Sequence, residues 1–313
     1  MSGISRVYSV YNTFNYLFMA AALEEIKPTI REILIDQPIV FLASTLRRMP
    51  VIRYMAQIVY DQHFARASGC RRLFRGVYRS FEEAIQAAPA TKPVHYDDSG
   101  YRYQRDHRAI LASDYPVILW LSRVLPESSS LVDFGGNVGM AYYSYQKYLA
   151  YPVHLCWMVY DLPEVVDAGL QVHNMEGSPK ALTFTSTLSD CAGCDILLAA
   201  GSLQYVPETP IELIAEMGTL PNHLLLNKLP VSECDSFVTL QSTGTGFSPY
   251  RVSNRKEFVD QISGLGYDLQ DAWDNPDMTL VIPGEPAHSL SSFSGMYFKR
   301  RDTYRLGARR SNP

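Results

Sequence analysis

The spacing of hydrophobic positions changes near residue 130. Before it, apolar residues recur at helical intervals through VYNTFNYLFMAAALEEIKPTIREIL and PVIRYMAQIVYDQHFA, which predicts amphipathic helices. After it, short β-rich runs (SLVDF, VHLCWMVY, ALTFT, CDILLAA and NHLLLNKL) alternate with segments of helical period such as NVGMAYYSYQKYLA and LPEVVDAGLQVHN. Five strands joined by helical crossovers predict a parallel sheet covered on both faces, an α/β fold. Further on, KEFVDQISGLGYDLQDAW predicts helix, glycine stop and strand, SSFSGMYFKR a last strand, and RDTYRLGARRSNP a polar, frayed tail. The expected division is an N-terminal helical region over 1–90, a lead-in and lid over 91–128, the α/β domain over 129–301 and a tail over 302–313.

Composition narrows the partners. The chain has 313 residues, 47% hydrophobic and 19% charged, enough for one large core with a smaller helical part. A formal net charge of −4 removes any general electrostatic case for nucleic-acid binding. The longest apolar stretches, YLFMAAAL and PIVFLASTL, are interrupted well short of the roughly 18–20 residues that cross a bilayer, so no membrane span is predicted. The N-terminal helices therefore have three readings: a cap on the main domain, a homodimer surface, or a helix lying on a membrane surface. Five cysteines without an export signal predict a cytoplasmic protein with reduced thiols. Cys191 and Cys194 have CxxC spacing, but no second pair or His partner follows; a turn before a strand is expected there, and no metal.

In open α/β sheets ligands bind beyond the carboxyl ends of the strands, where the strand order reverses. The first β-rich run leads into VDFGGNVG, residues 132–139. Gly135, Gly136 and Gly139 give G-G-x-x-G, which does not supply the three glycines of the dinucleotide pattern G-x-G-x-x-G. Asp133 precedes them at the strand end. A carboxylate there would repel a pyrophosphate and attract a cationic ligand carrying ammonium and sulfonium charges. Asp161 ends the next run and can accept both ribose hydroxyls of an adenosine. The competing reading for either Asp is a turn or helix cap, since Pro163 marks a helix start.

Together LVDFGGNVGMAYYSYQKYL, YDLPEVVDAG, GSLQYV, NKLPV, TLQ, SPYRVSNRKEFVDQISGLGYDLQDAW and SGMYFKR resemble the class I methyltransferases of bacterial surface-polysaccharide and natural-product gene clusters. FRGVYRSFEEA and SDYPVILWLSRVL match that family's lead-in, so the resemblance runs from residue 70 to residue 301. It implies a Rossmann-like sheet of seven strands, mostly parallel with the last antiparallel, and S-adenosyl-L-methionine as cofactor. On that resemblance Asp133, Gly135, Gly136 and Gly139 line the methionine and ribose side, and Asp161 holds the ribose. Leu162 flanks the adenine, Thr187 and Leu188 close its pocket, and Ala200, Gly201 and Ser202 lie beneath the sulfonium.

YDLPEVV and LLAAGSLQYVPE also resemble the plant-type small-molecule O-methyltransferases, which carry a catalytic His in the turn after the fourth strand. Gln204 stands at that point, and an amide cannot take a proton at neutral pH. Transfer would then rest mainly on positioning, with Gln204, Tyr205 and Lys228 as the candidate catalytic residues. An acceptor site is expected from Tyr103 and His107 in HYDDSGYRYQRDH, from Tyr142, from Asn227, and from Gln241, Tyr250 and Arg251 in QSTGTGFSPYR, read as a Gly- and Ser-rich loop. Arg251 would clamp a carboxylate or phosphate. The expected function is methyl transfer to a small-molecule or saccharide acceptor, on O of a carboxylate or hydroxyl or on N; the alternative is a non-catalytic nucleoside-binding or scaffold protein on the same fold.

Overall fold

A computed structural model describes residues 50–68, 73–94 and 109–301. Expectations for residues 1–49, for Tyr103 and His107, and for the tail lie outside these residues. The main sheet contains β2 (Ser130–Phe134), β3 (Cys156–Tyr160), β4 (Leu182–Thr185), β5 (Ile196–Ala200), β6 (His223–Leu229), β10 (Tyr267–Asn275) and β11 (Phe293–Arg300), in the order β4-β3-β2-β5-β6-β11-β10. Every neighbouring pair is parallel except those of β11, which runs antiparallel to β6 and to β10. The sheet is thus Rossmann-like, seven strands, mostly parallel with the last antiparallel, as the resemblance implied. The chain order reverses between β2 and β5, which fixes where a ligand would sit.

The strands read as apolar runs because both of their faces are covered. In β5, Ile196 and Leu198 join Leu131, Trp157 and Leu225 in one core, while Leu197 and Ala199 join Val132, Leu224 and Leu226 in the other. The first core is closed by helix Tyr115–Val124, which contributes Val117, Ile118 and Leu121, and the second by helices Pro210–Glu216 and Arg255–Gly264. Thr209 caps the second of these helices reciprocally with Glu212, and Asn254 caps the third by accepting from Glu257 N–H, so the crossovers begin where the sequence supplies oxygen acceptors.

A second sheet departs from the sequence-based expectation. It has the order β1-β8-β9-β7, built from β1 (Leu73–Tyr78), β8 (Phe237–Ser242), β9 (Phe247–Asn254) and β7 (Val231–Ser232). β1 thus lies inside the stretch expected to be helical. The segment 241–251 is a hairpin rather than a loop, its turn closed by Thr243 N–H donating to Gly246 O. Helix Pro50–Arg66 packs Tyr60 and Phe64 against Leu240 and Phe247 on one face of this sheet. On the other face Phe74, Tyr250 and Val252 meet Phe293 of β11. The second sheet therefore stands over the carboxyl end of the first. Among the described residues no helix is long and apolar enough to cross a membrane.

Candidate functional site

The turn after β2 is laced to the ends of both neighbouring strands. Gly135 N–H donates to Tyr160 O (2.8 Å) at the end of β3, and Ser202 Oγ donates to Phe134 O (2.6 Å) from beyond β5. Gly135 and Gly139 adopt φ of +67° and +85°, a left-handed backbone natural to glycine. A Cβ on Gly135 would come within 2.3 Å of Ser202 Cβ, and one on Gly136 within 2.5 Å of the Asp133 carboxyl carbon. These two glycines let three segments meet without side chains between them. Gly139, expected on the cofactor side, instead forms the N-cap of helix Met140–Tyr145 and faces Leu182 and Tyr143. Gly135→Ala is expected to lower stability by about 1–3 kcal/mol, read as a fall in Tm, because both the clash and the positive φ oppose it.

Two cavities border this turn, and a third adjoins both of them beyond β5 and β6. The first, about 350 Å³, crosses the ends of β2 to β5 between Tyr160, Leu162 and Leu188, with Asn137, Asp161, Gly201 and Ser202 as polar or open wall. The second, about 210 Å³, is bounded by Asp133, Gly136, Met140, Tyr145, Asp114 and Lys228. The third, about 240 Å³, lies under the second sheet among Phe74, Tyr205, Tyr250, Met278, Phe293 and Lys228. Gly135 and Asn137 border the first two, Gly201 and Tyr205 the first and third, and Ala200 and Lys228 the second and third. Thr187 falls beside the first cavity, its N–H bound to Thr185 Oγ1 at 3.0 Å, while Ser186 lines it.

The two carboxylates differ in setting. Asp161 is half-buried; its Oδ2 accepts Asn137 N–H (2.9 Å) and its Oδ1 accepts Leu162 N–H (2.8 Å). Asp133 is 2% exposed, and burial pushes its carboxyl up to about 7. A hydrogen bond from Trp157 Nε1 at 3.3 Å works against that rise, the charge of Asp161 adds to it, and Lys228 opposes it.

Lys228 has φ of +56°, unusual outside glycine, at an irregularity in the β6–β11 register between Ser294 and Met296. A bulge of this kind turns a side chain away from the alternation of its strand. Lys228 Nζ lies 3.0 Å from Asp114 Oδ1, and both side chains are nearly buried. Asp114 also accepts Leu111 N–H at 2.9 Å and Tyr145 O–H at 3.3 Å.

Several expected site residues do other work. Gln204 is buried; its Nε2 donates to Gly201 O (2.8 Å), so it holds the carbonyl of the turn, and its Oε1 has no partner among the described residues. Tyr205 O–H donates to Gln241 Oε1 (2.8 Å) and meets Tyr250 edge-on. Asn227, expected to contact the acceptor, is fully buried: Nδ2 donates to Ser113 O, while Oδ1 accepts from Trp273 Nε1 and Asn275 Nδ2. Tyr142 is packed with Tyr143, Tyr151 and Trp157 in the core rather than beside a ligand. Arg251, expected as an anion clamp, donates to the carbonyls of Pro207 and Glu208 and covers the ring of Phe81, pinning the loop at the edge of the first cavity. Asn137, Ser186 and Asp114 were not singled out from the sequence. Burial pushes the free thiols of Cys191 and Cys194 up to about 11 and about 12, the inert state of a packed turn.

No protein-family model matches the sequence, and no curated protein matches it significantly. Among solved structures, similarity is found to a Burkholderia thailandensis 1,6-didemethyltoxoflavin-N1-methyltransferase with bound 1,6-didemethyltoxoflavin and S-adenosylhomocysteine (15% identity, 61% of this chain and 79% of that one, TM-score 0.43). It is also found to the PH0226 protein of Pyrococcus horikoshii OT3 (8%, 66% and 100%, 0.45) and to an O-methyltransferase family protein of Burkholderia thailandensis (13%, 60% and 56%, 0.39).

Proposed function

We propose that the protein is an S-adenosylmethionine-dependent methyltransferase acting on a small molecule, of the kind found in surface-polysaccharide and natural-product gene clusters. The observation that carries this reading is the meeting of three cavities around Gly135, Gly201 and Lys228, with one carboxylate at the end of β2 and another at the end of β3. The residues present fit the cofactor. Asp161 opens onto the first cavity, where its carboxylate can accept ribose hydroxyls while Leu162 and Leu188 supply apolar walls for an adenine. Asp133 borders the second cavity and offers a countercharge to the amino acid part. At Gly135 and Gly136 the missing Cβ atoms let Ser202 and the Asp133 carboxyl sit against the turn, which keeps the ends of β2 and β5 together at the cavities.

When bound, the cofactor supplies a methyl group already activated on a sulfonium. The chain has to hold an acceptor in line with it and exclude water. The third cavity supports that role, because it is walled by aromatic side chains and borders the other two at Gly201 and Lys228. Gln204 is occupied by Gly201 O and acts as a positioning residue for the turn. Lys228, oriented by Asp114, is the polar group at the boundary of the acceptor and methionine cavities.

The test is thermal denaturation of the full chain with S-adenosylmethionine and with S-adenosylhomocysteine. Both are expected to raise Tm by mass action, by an amount growing with the logarithm of concentration. NADH and ATP are expected to leave it unchanged. No rise with either sulfur nucleoside overturns the reading. A rise without methyl transfer to any member of a broad acceptor panel would favour a binding protein on the same fold.

A further inference from the structure

We infer that the third cavity binds a flat, apolar acceptor, most simply an aromatic ring system, that presents an anionic oxygen to Lys228. The inference rests on the methyl-transfer reading and narrows it to a substrate class.

The walls set the shape. Tyr250 meets Tyr205 at 88° with centroids 5.0 Å apart, and Phe74 at 67° and 5.1 Å, so the wall of the cavity includes a cluster of three packed rings. Met278 and Phe293 add further apolar lining. Such a slot favours a planar apolar body, which gains from edge-to-face contacts and from sulfur contact. The volume of about 240 Å³ is at the small end of ligand sites and suits one or two rings.

The polar groups set the head. Among the described residues lining the cavity, Lys228 is the one charged side chain. Asp114, which holds the ammonium at 3.0 Å, borders the methionine cavity and not this one. The acceptor cavity is therefore bordered by Lys228 and not by the carboxylate that pairs with it. The left-handed backbone and strand irregularity at Lys228 turn the side chain to this position, and strain of that kind persists where the surroundings enforce it. An ammonium in an apolar slot attracts an anionic oxygen and repels a protonated amine. A carboxylate or acidic phenol arriving as its anion needs no base, in keeping with the amide of Gln204 at the turn.

A sugar fits less well. Its hydroxyls each need a partner, and burying one without a hydrogen bond is costly. Gln204 Nε2 is already bound to Gly201 O, and Gln241 Oε1 already accepts from Tyr205. Gln204 Oε1, which has no partner among the described residues, and Thr279 also belong to the lining, too few partners for the several hydroxyls of a sugar beside Phe74, Tyr250, Met278 and Phe293.

The experiment uses the full chain saturated with S-adenosylhomocysteine and a calorimetric panel: benzoate, 2-naphthoate, 4-nitrophenolate and 1-hydroxy-2-naphthoate, their neutral amides or methyl ethers, and glucuronate. At least one aromatic anion is expected to bind about tenfold or more tighter than its neutral counterpart, with glucuronate weaker than both. In the paired variant Asp114→Asn/Lys228→Met, which leaves no unpartnered buried charge, that preference is expected to vanish while the neutral counterparts still bind, and the S-adenosylhomocysteine response is read on the wild-type chain. Lys228→Arg is expected to retain it in part. Failure of every aromatic anion to bind, equal binding of the neutral partners, tighter binding of glucuronate, or an unchanged preference in the paired variant overturns the inference. The S-adenosylhomocysteine response separates the two levels: if it is present and the anion preference absent, the substrate class alone is wrong; if it is absent, the methyltransferase reading falls too.

Discussion

Asp161→Ala is expected to weaken binding of S-adenosylhomocysteine by about 100-fold to 10,000-fold, enough to remove the ligand-induced rise in Tm at millimolar ligand. The size follows from two hydrogen bonds to a charged acceptor, each contributing about 1.5–3 kcal/mol. A second effect acts in the same direction. Asp161 Oδ2 also holds Asn137 N–H at 2.9 Å, and Asn137 sits at φ of +56° between the glycines of the turn. Without that acceptor the turn keeps Gly135 N–H to Tyr160 O but loses a second bond to the end of β3. Asp161→Asn keeps one carbonyl oxygen for Asn137 and forfeits the charge, so it is expected to fall between wild type and Ala. Titration calorimetry of the three proteins measures this. Equal affinity in all three would mean that the nucleoside does not bind over β3. Apo stability is expected to fall by only about 1–2 kcal/mol, since Asp161 is half-buried and lies outside both cores.

What was legible in the sequence is what depends on local pattern. The alternation of β-rich runs and helical periods from 130 onward gave the parallel sheet because each strand and its following helix are neighbours in the chain. Asp133 and Asp161 stood out for the same reason, as acidic residues closing apolar runs, where an open sheet carries its site. Pairing over long distances was not legible. β1 joins β8 through Leu73 and Ser242, and six residues containing Gly76 carry too weak a period to be separated from the helical stretch around them. Asn227 was expected at the acceptor site, but its partners Ser113, Trp273 and Asn275 lie far away in sequence. Arg251 looked like an anion clamp because its carbonyl acceptors at 207 and 208 belong to another loop. For Asn137 there was a usable signal, an Asn inside a glycine turn, a residue that tolerates positive φ. Asp114 had one too, as an acid just before the Tyr115-Pro116 helix start, yet that signal reads as a cap and not as the partner of Lys228.

The setting of Asp133 gives a pH-dependent prediction of comparable size. Burial holds its carboxyl near 7 in the folded apo protein, against about 3.9 in an unfolded chain. Below pH 4 both states carry the proton and the group does not affect stability. Between pH 4 and 7 the folded state keeps a proton that the unfolded state releases, so stability falls as pH rises, and above 7 the loss is complete. Its full extent is on the order of 3–5 kcal/mol. Asp133→Asn is therefore expected to be more stable than wild type at pH 8 and equal to it at pH 4, as read from denaturant midpoints. Cofactor binding reverses the balance. An ammonium beside Asp133 stabilises the carboxylate, so binding releases a proton below pH 7, and affinity rises up to about tenfold per pH unit until it levels off near 7. Calorimetry of S-adenosylhomocysteine binding in two buffers of different ionisation enthalpy counts that proton directly. Asp133→Asn should bind more weakly at pH 8 and release none. Affinity that is flat from pH 5.5 to 8 in wild type would show that the ligand's ammonium lies away from Asp133, and the second cavity would then need another occupant.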